Sequence, residues 1–486
     1  MRFGRFVLLG LALAGYVNSV RADEQSAVQA LQELGATIKR DENKPNKPVV
    51  AVHFCAPSMA DDELGKYLED FYVLAGKAHD AKDDALKNVS ELESLQVLNL
   101  WHTEISDEGL KYLKDLKSLE VLDLRQTRVT DAGLKELKAL KSLRRLYLTE
   151  CAVTNEGLEA LKDLPNLEVL RLGRTKVTDA GIKQISRHTR LRALYLDETN
   201  VTDEGIKHLR GLANLQVLQL DHTKVTGAAL SELKDLEELK ELNLTDTKVT
   251  DSALKELSAF KKLEVLGLNS TGVTDEGLKE LPQLQELRRL YLYKTQITDA
   301  GLEKLSGLTN LQELHLRKTK VTDVGLPELR GLANLEVLDL SENYVSDAGL
   351  KELKELKKLE HLYVVDTKVT DAGIKELRET LPKLRVWRHA PDPRFPFLGP
   401  PKLFDGTPPS VGWFNKMGDG TPSSVGWPFL IIAGAGILGA IGALARRPGS
   451  QRPSQSVAVA EPPEWTTRDL GLGVDGKDGV MRQRHF

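Results

Sequence analysis

Between Leu95 and Pro382 the alternation of apolar and polar positions repeats every 24 residues, twelve times without a gap. In the copy LEVLDLRQTRVTDAGLKELKALKS, residues 119–142, leucines stand at positions 1, 4, 6, 16, 19 and 22: Leu119, Leu122, Leu124, Leu134, Leu137 and Leu140. The step of two between positions 4 and 6 puts both side chains on one face of a strand, and steps of three through 16, 19 and 22 line one face of a helix. Each unit therefore predicts strand, loop and short helix. One such unit cannot enclose its own leucines, so strand must stack beside strand and helix beside helix. The expectation is an α/β solenoid, a horseshoe with a parallel concave sheet and convex helices.

The loop positions are as regular. Position 9 is threonine in ten copies, with Cys151 and Asn343 as exceptions; position 13 is Asp in ten, with Asn155 and Gly227; position 15 is Gly in ten. The Asp column predicts helix N-caps, favoured by the helix dipole. Glycine costs about 1 kcal/mol against alanine inside a helix, so its recurrence predicts a first helical turn lying close to a neighbouring backbone.

The series L-x-x-L-x-L followed by a polar and then a buried aliphatic residue, met first by Leu95, Leu98, Leu100, Thr103 and Ile105, resembles the leucine-rich repeat family, ribonuclease-inhibitor-like in having a helix on the convex side. Many members of that family carry asparagine at position 9, bonding the next coil in a ladder. The resemblance implies that threonine, which donates and accepts, takes that place here.

Two weaker copies precede the array, with Val49, Val52, Phe54, Asp61 and Leu64 in register, then Phe71, Leu74, Asp83, Leu86 and Leu92. The repeat domain spans 49–390. Before it, residues 23–48 read as an N-terminal cap, with a short helix striped by Val28, Leu31 and Leu34 and ended by Gly35. After it, a partial copy at Leu384 to Trp387 starts one residue late and meets Pro391, Pro393 and Pro396. Residues 1–22, with Arg2 and Arg5 ahead of a short apolar run and Ala22 at the end, have the layout of a secretory signal peptide. Residues 391–427, with DGTPPSVGW and DGTPSSVGW in tandem, read as a Pro- and Gly-rich linker. The uncharged run 428–445 between Trp427 and Arg446-Arg447 is just sufficient for a transmembrane helix, and 446–486 forms a polar, disordered tail. Arg446, Arg447 and Arg452 behind the span place the repeats outside the cytoplasm, in the cell envelope, on a single-pass membrane protein.

Charge and chemistry narrow the function classes. A net charge of -4 offers no global attraction for nucleic acid. The two cysteines, Cys55 and Cys151, lie four stacked strands apart, about 20 Å, too far for a disulfide. The ten histidines show no metal-ligand spacing, and no catalytic motif occurs, so neither metal, cofactor nor enzymatic activity is expected. Gly434, Gly436 and Gly439 spell G-x-G-x-x-G, yet they lie in the apolar run without a following βαβ unit. Sequons occur at Asn88, Asn200, Asn243 and Asn269; the last two point to the inner face.

With positions 4 and 6 buried, positions 5 and 7 face the concave side. Aromatic residues and arginine, the types enriched at interface hot spots, cluster there twice: Trp101, Arg125, Tyr147, Arg171 and Tyr195, then Tyr291, Tyr293, His315 and Arg317. The expected function is binding of a protein or other macromolecule through this face; the alternative is a non-catalytic envelope scaffold or spacer. The whole resembles the exported repeat proteins of some bacteria.

Overall fold

The computed structural model describes residues 24–54 and 81–388. Fifteen strands form one open sheet in chain order. Strand β1 (Thr37–Arg40) runs antiparallel to β2 (Val49–His53), pairing Ile38 with Val52, and so caps the edge where the first repeat would lack a neighbour. From β3 (Val97–Asn99) to β15 (Arg385–Trp387) each strand is parallel to the next, which lies 24 residues on. This is the α/β solenoid that the periodicity predicts.

The leucine columns make a single core. Leu119, Leu122, Leu124, Leu134, Leu137 and Leu140 are all fully buried, as are their counterparts in the next repeats. The strand contributes only three paired residues per repeat, but the parallel ladder runs on: the N–H of Leu124 bonds the carbonyl of Tyr147, and the N–H of Gln126 that of Thr149. Between these bonds the chain leaves the strand through position 8, which is left-handed in all twelve repeats, from His102 (φ 56°) to Asp366 (φ 54°), and is never glycine. Each such residue costs about 1 kcal/mol or more and persists because the ladder bond holds its N–H.

The helical half answers to the apolar spacing more finely than a generic helix would. In many repeats one α-turn, such as Asp131–Leu134, passes directly into a 3₁₀ segment, Lys135–Ala139, while Asp179–Ile185 and Gly227–Leu233 stay α-helical. Steps of three between apolar residues match three residues per turn, not 3.6. The last repeat has a longer helix. There Ile374, Leu377 and Leu381 are spaced three and then four, and the segment Asp371–Thr380 is a continuous α-helix. Its extra residue delays Leu381 and Leu384 by one, and the following link is one residue shorter. Strand β15 therefore returns to register, with Leu362 opposite Val386 and Tyr363 opposite Trp387.

Several loop expectations are corrected. The N-cap is not the position 13 aspartate but the hydroxyl one residue earlier, serine or threonine in every repeat. Thr130 Oγ1, for instance, accepts the N–H of Ala132 at 3.3 Å. The aspartate acts between repeats instead: Asp107 Oδ1 accepts the N–H of Thr130 and Oδ2 accepts its hydroxyl, both at 2.7 Å. The glycine at position 15 makes room for this carboxylate more than for backbone, since a Cβ on Gly133 would lie 2.3 Å from Asp107 Oδ1. Where position 13 is Gly227, the facing residue is Ala253, so the bulk has changed sides. Nor do the position 9 threonines form a ladder. Thr127 Oγ1 donates within its own repeat, to the carbonyl of Leu124 at 2.7 Å. Among the described residues the crossing bonds occur at the two exceptions: Cys151 Sγ donates to the carbonyl of Leu124 at 2.9 Å, Asn343 Nδ2 to that of Leu316 at 2.6 Å, and Thr319 Oγ1 to Asn343 Oδ1 at 2.9 Å.

Among the described residues the two partial copies before Leu95 supply one rung of the sheet. Val52 of β2 pairs directly with Leu98 of β3, while the aspartate that clips Ser106 is Asp83. Residues 55–80, including the expected strand at Phe71 and Leu74, lie outside the described residues, as do the expected signal peptide, linker, membrane helix and tail. Among the described residues no helix is long and apolar enough to cross a membrane.

Candidate binding face

Strand alternation places positions 3, 5 and 7 on the concave face, and the structure brings the first predicted cluster into one row. The guanidinium of Arg125 lies 5.3 Å from the ring centroid of Trp101 and 5.5 Å from that of Tyr147. That of Arg171 lies 5.3 Å from Tyr147 and 4.0 Å from Tyr195. The five residues alternate aromatic and cation across successive repeats, as the strand spacing of about 4.8 Å requires. Arg125 is held in place from its own strand: Nε and Nη2 donate to the fully buried Asp123 carboxylate, Nη2 at 2.6 Å. Tyr147 is fully buried, whereas Trp101, Arg171 and Tyr195 are half-buried.

A second apolar cluster, separate from the leucine core, underlies this row. It consists of Ala51, Val97, Val121, Tyr147, Val169 and Ala193, with Tyr195 and Val217 packed against it. Apart from Tyr147 and Tyr195, these are the position 3 residues. Sequence reasoning overlooked that column, although the period of two extends to it. Position 8 was overlooked too. It forms a polar rail beside the ladder: Trp101 Nε1 donates to Gln126 Oε1 at 3.0 Å, Gln126 Nε2 to Glu150 at 3.0 Å, and Arg174 bridges Glu150 at 2.6 Å and Glu198 at 2.8 Å.

The second predicted cluster is looser. Tyr291 stacks on His315, centroids 4.7 Å apart, and its hydroxyl donates to Glu313 at 3.3 Å. Arg317 lies 5.8 Å from the Tyr293 ring, but its guanidinium is engaged by Glu342 at 2.5 Å. A third group was not anticipated, because Trp387 falls in the partial copy. Its ring stacks on Tyr363 at 4.6 Å and on His361 at 5.2 Å. Burial first, with Arg385 nearby, lowers the His361 imidazole below its ordinary value.

The sequons on this face do other work. Asn243 is 1% exposed, donates to Asp221 and accepts the N–H of Thr245; Asn269 Oδ1 accepts the N–H of Tyr293 at 2.8 Å. Among the described residues no three His, Cys, Asp or Glu converge as metal ligands.

Models of leucine-rich repeats match the sequence at residues 93–153, 238–258, 285–328 and 309–355. The chain carries leucine-rich repeats. Among solved structures, an internalin (inlF) from Listeria monocytogenes is similar with 21% identity and a TM-score of 0.52, over 76% of this chain and 96% of that one. A leucine-rich repeat protein of Leptospira interrogans gives 23% identity and a TM-score of 0.48, over 68% of this chain and 100% of that one. At such identities the likeness is one of fold. No curated protein matches the sequence. Leucine-rich repeats of this kind suggest protein–protein interaction in general.

Proposed function

We propose that this chain is an exported, membrane-anchored leucine-rich repeat protein that binds another protein through its concave face. It acts as a binding protein, not an enzyme. The ladder Trp101–Arg125–Tyr147–Arg171–Tyr195 carries the reading. Rings whose faces are packed by guanidinium planes lose little further freedom on binding, so their edges offer contact at low entropic cost.

Quantitative mass spectrometry of proteins captured on the immobilised full chain, compared with an Arg171→Gln/Tyr195→Ser variant, tests the reading. Tyr147 is left intact because it is buried in the second apolar cluster. The expected loss is at least tenfold in affinity, about 1.4 kcal/mol. A variant with native circular dichroism that captures the same proteins at the same yield rejects this face.

The export and anchoring part rests on the Arg-flanked apolar run of residues 1–22 and on the uncharged run 428–445 between Trp427 and Arg446-Arg447. The full chain should stay with membranes in alkaline carbonate, while a chain ending at Pro391 should be released. Release of both counts against a spanning helix.

A further inference from the structure

Asp197 and Asp221 occupy position 7 of consecutive repeats, where parallel pairing of Tyr195 with Gln219 sets their backbones about 4.8 Å apart on the concave face. Asp221 is 6% exposed and Asp197 half-buried. Arg125 neutralises Asp123 along the same face, but Asp197 and Asp221 form no ion pair among the described residues. Asp221 is held by a neutral group: Asn243 Nδ2 donates to its Oδ1 at 3.0 Å. Two residues before Asp221, and so on the same face, Gln219 is 4% exposed and its Oε1 has no hydrogen-bond partner among the described residues. On the next strand the Thr245 hydroxyl is likewise buried without one. The position 7 residue of the preceding repeat is Gly173, and the Asp197 carboxylate lies over it, so that a Cβ there would come within 2.3 Å of Oδ2.

The Asp197 and Asp221 carboxylates, the Gln219 amide oxygen and the Thr245 hydroxyl make a notch rich in acceptors, and at Asp197 burial outweighs the charges of Arg171 and Arg174 nearby, which act to lower its carboxyl. We propose that this notch takes a basic side chain, an ammonium or guanidinium, carried by the protein that binds the concave face. The inference rests on the reading given under Proposed function and specifies the chemistry of that partner. Burial first, and then the charge of Asp197, push the Asp221 carboxyl up to about 8. An arriving N–H cation removes both penalties, supplying charge and donors together. A divalent metal fits less well. Calcium collects about six to eight oxygens, and the notch holds only two carboxylates with an amide and a hydroxyl oxygen beside them.

The test titrates the full chain by calorimetry with N-acetyl-lysinamide and N-acetyl-argininamide, with N-acetyl-norleucinamide as the neutral control and calcium chloride as a separate arm. At least one basic probe should saturate in the millimolar range, the neutral one should not, and Asp197→Asn/Asp221→Asn should weaken binding at least tenfold. Gly173→Ala keeps both carboxylates but crowds Asp197, and it too should weaken binding; it serves if the double variant fails to fold. No saturable binding of either basic probe, unchanged affinity in both variants, or calcium binding that these variants abolish would each overturn the proposal. Because the probes need no partner, failure here leaves the ladder reading standing. Partner capture that ignores the ladder variant, with probe binding intact, defeats that reading alone.

Discussion

Removing one inter-repeat carboxylate should unclip two repeats while leaving every leucine in place, and Asp275 is the cleanest site. Its Oδ1 accepts the N–H of Thr298 at 2.8 Å and its Oδ2 the hydroxyl at 2.6 Å, while the same hydroxyl accepts the N–H of Ala300 at 3.3 Å. Taking the hydroxyl proton leaves the Thr298 lone pairs for the helix terminus, so one carboxylate sets both the clip and the cap. Bonds to a charged acceptor are worth about 1.5–3 kcal/mol each. These are part-buried, so Asp275→Ala should cost about 2–4 kcal/mol and Asp275→Asn about 1–2.

The chain contains controls for that ordering. Asn155 still accepts the N–H of Thr178 at 2.9 Å, but its amide donates to the hydroxyl at 2.9 Å, and Thr178 makes no side-chain cap bond. Gly227 offers nothing, and Thr250 makes no cap bond either. Urea unfolding followed by circular dichroism measures the effect, with unchanged m-values confirming that the same surface is exposed. An Asp275→Ala variant within about 0.5 kcal/mol of wild type, or an asparagine variant as unstable as the alanine one, would refute the clip as an energetic element.

Leu218→Asp buries an unpaired carboxylate in a fully buried core position shared with both neighbours, costing several kcal/mol, and should lower the melt of more than its own repeat; an unchanged melting curve contradicts a continuous core. Asp221, surrounded by Asp197, Glu198 and Arg174, holds its proton up to about pH 8 in the folded state against about 3.9 unfolded. The folded state then binds more protons between these values, so stability should fall as pH rises from about 4 to about 8, and Asp221→Asn should flatten that fall; an equally steep decline of the denaturation midpoint in the variant shows that the slope comes from elsewhere.

Much of the candidate face could be read ahead of the structure because two periods fix it. A period of 24 aligns Tyr147, Arg171 and Tyr195 in neighbouring strands, and a period of two sends their side chains to one face. The same arithmetic covers position 3, so Val121 and Val169 were legible though unread. Trp387 was obscured by the late Leu384, because only the altered helix of the last repeat shows where the missing register is regained. Tyr147 illustrates the limit: alternation tells which face a side chain takes, but not that neighbours on that face will bury it completely.

The spacing of leucines determined by itself that this chain stacks and which side of each element is buried. Those are properties of one repeat and its copies, and solvent exclusion enforces them locally. Tertiary structure alone decided what the polar columns do. An aspartate at a helix start caps its own helix or clips its neighbour according to where the next repeat's threonine sits, 23 residues on. The left-handed turn at position 8 carries no glycine to announce it, since the strain is met by a ladder bond to the following strand. Hydrogen bonds are directional and short-ranged, so their partners exist only once the coils are stacked, whereas hydrophobic burial needs no more than the pattern.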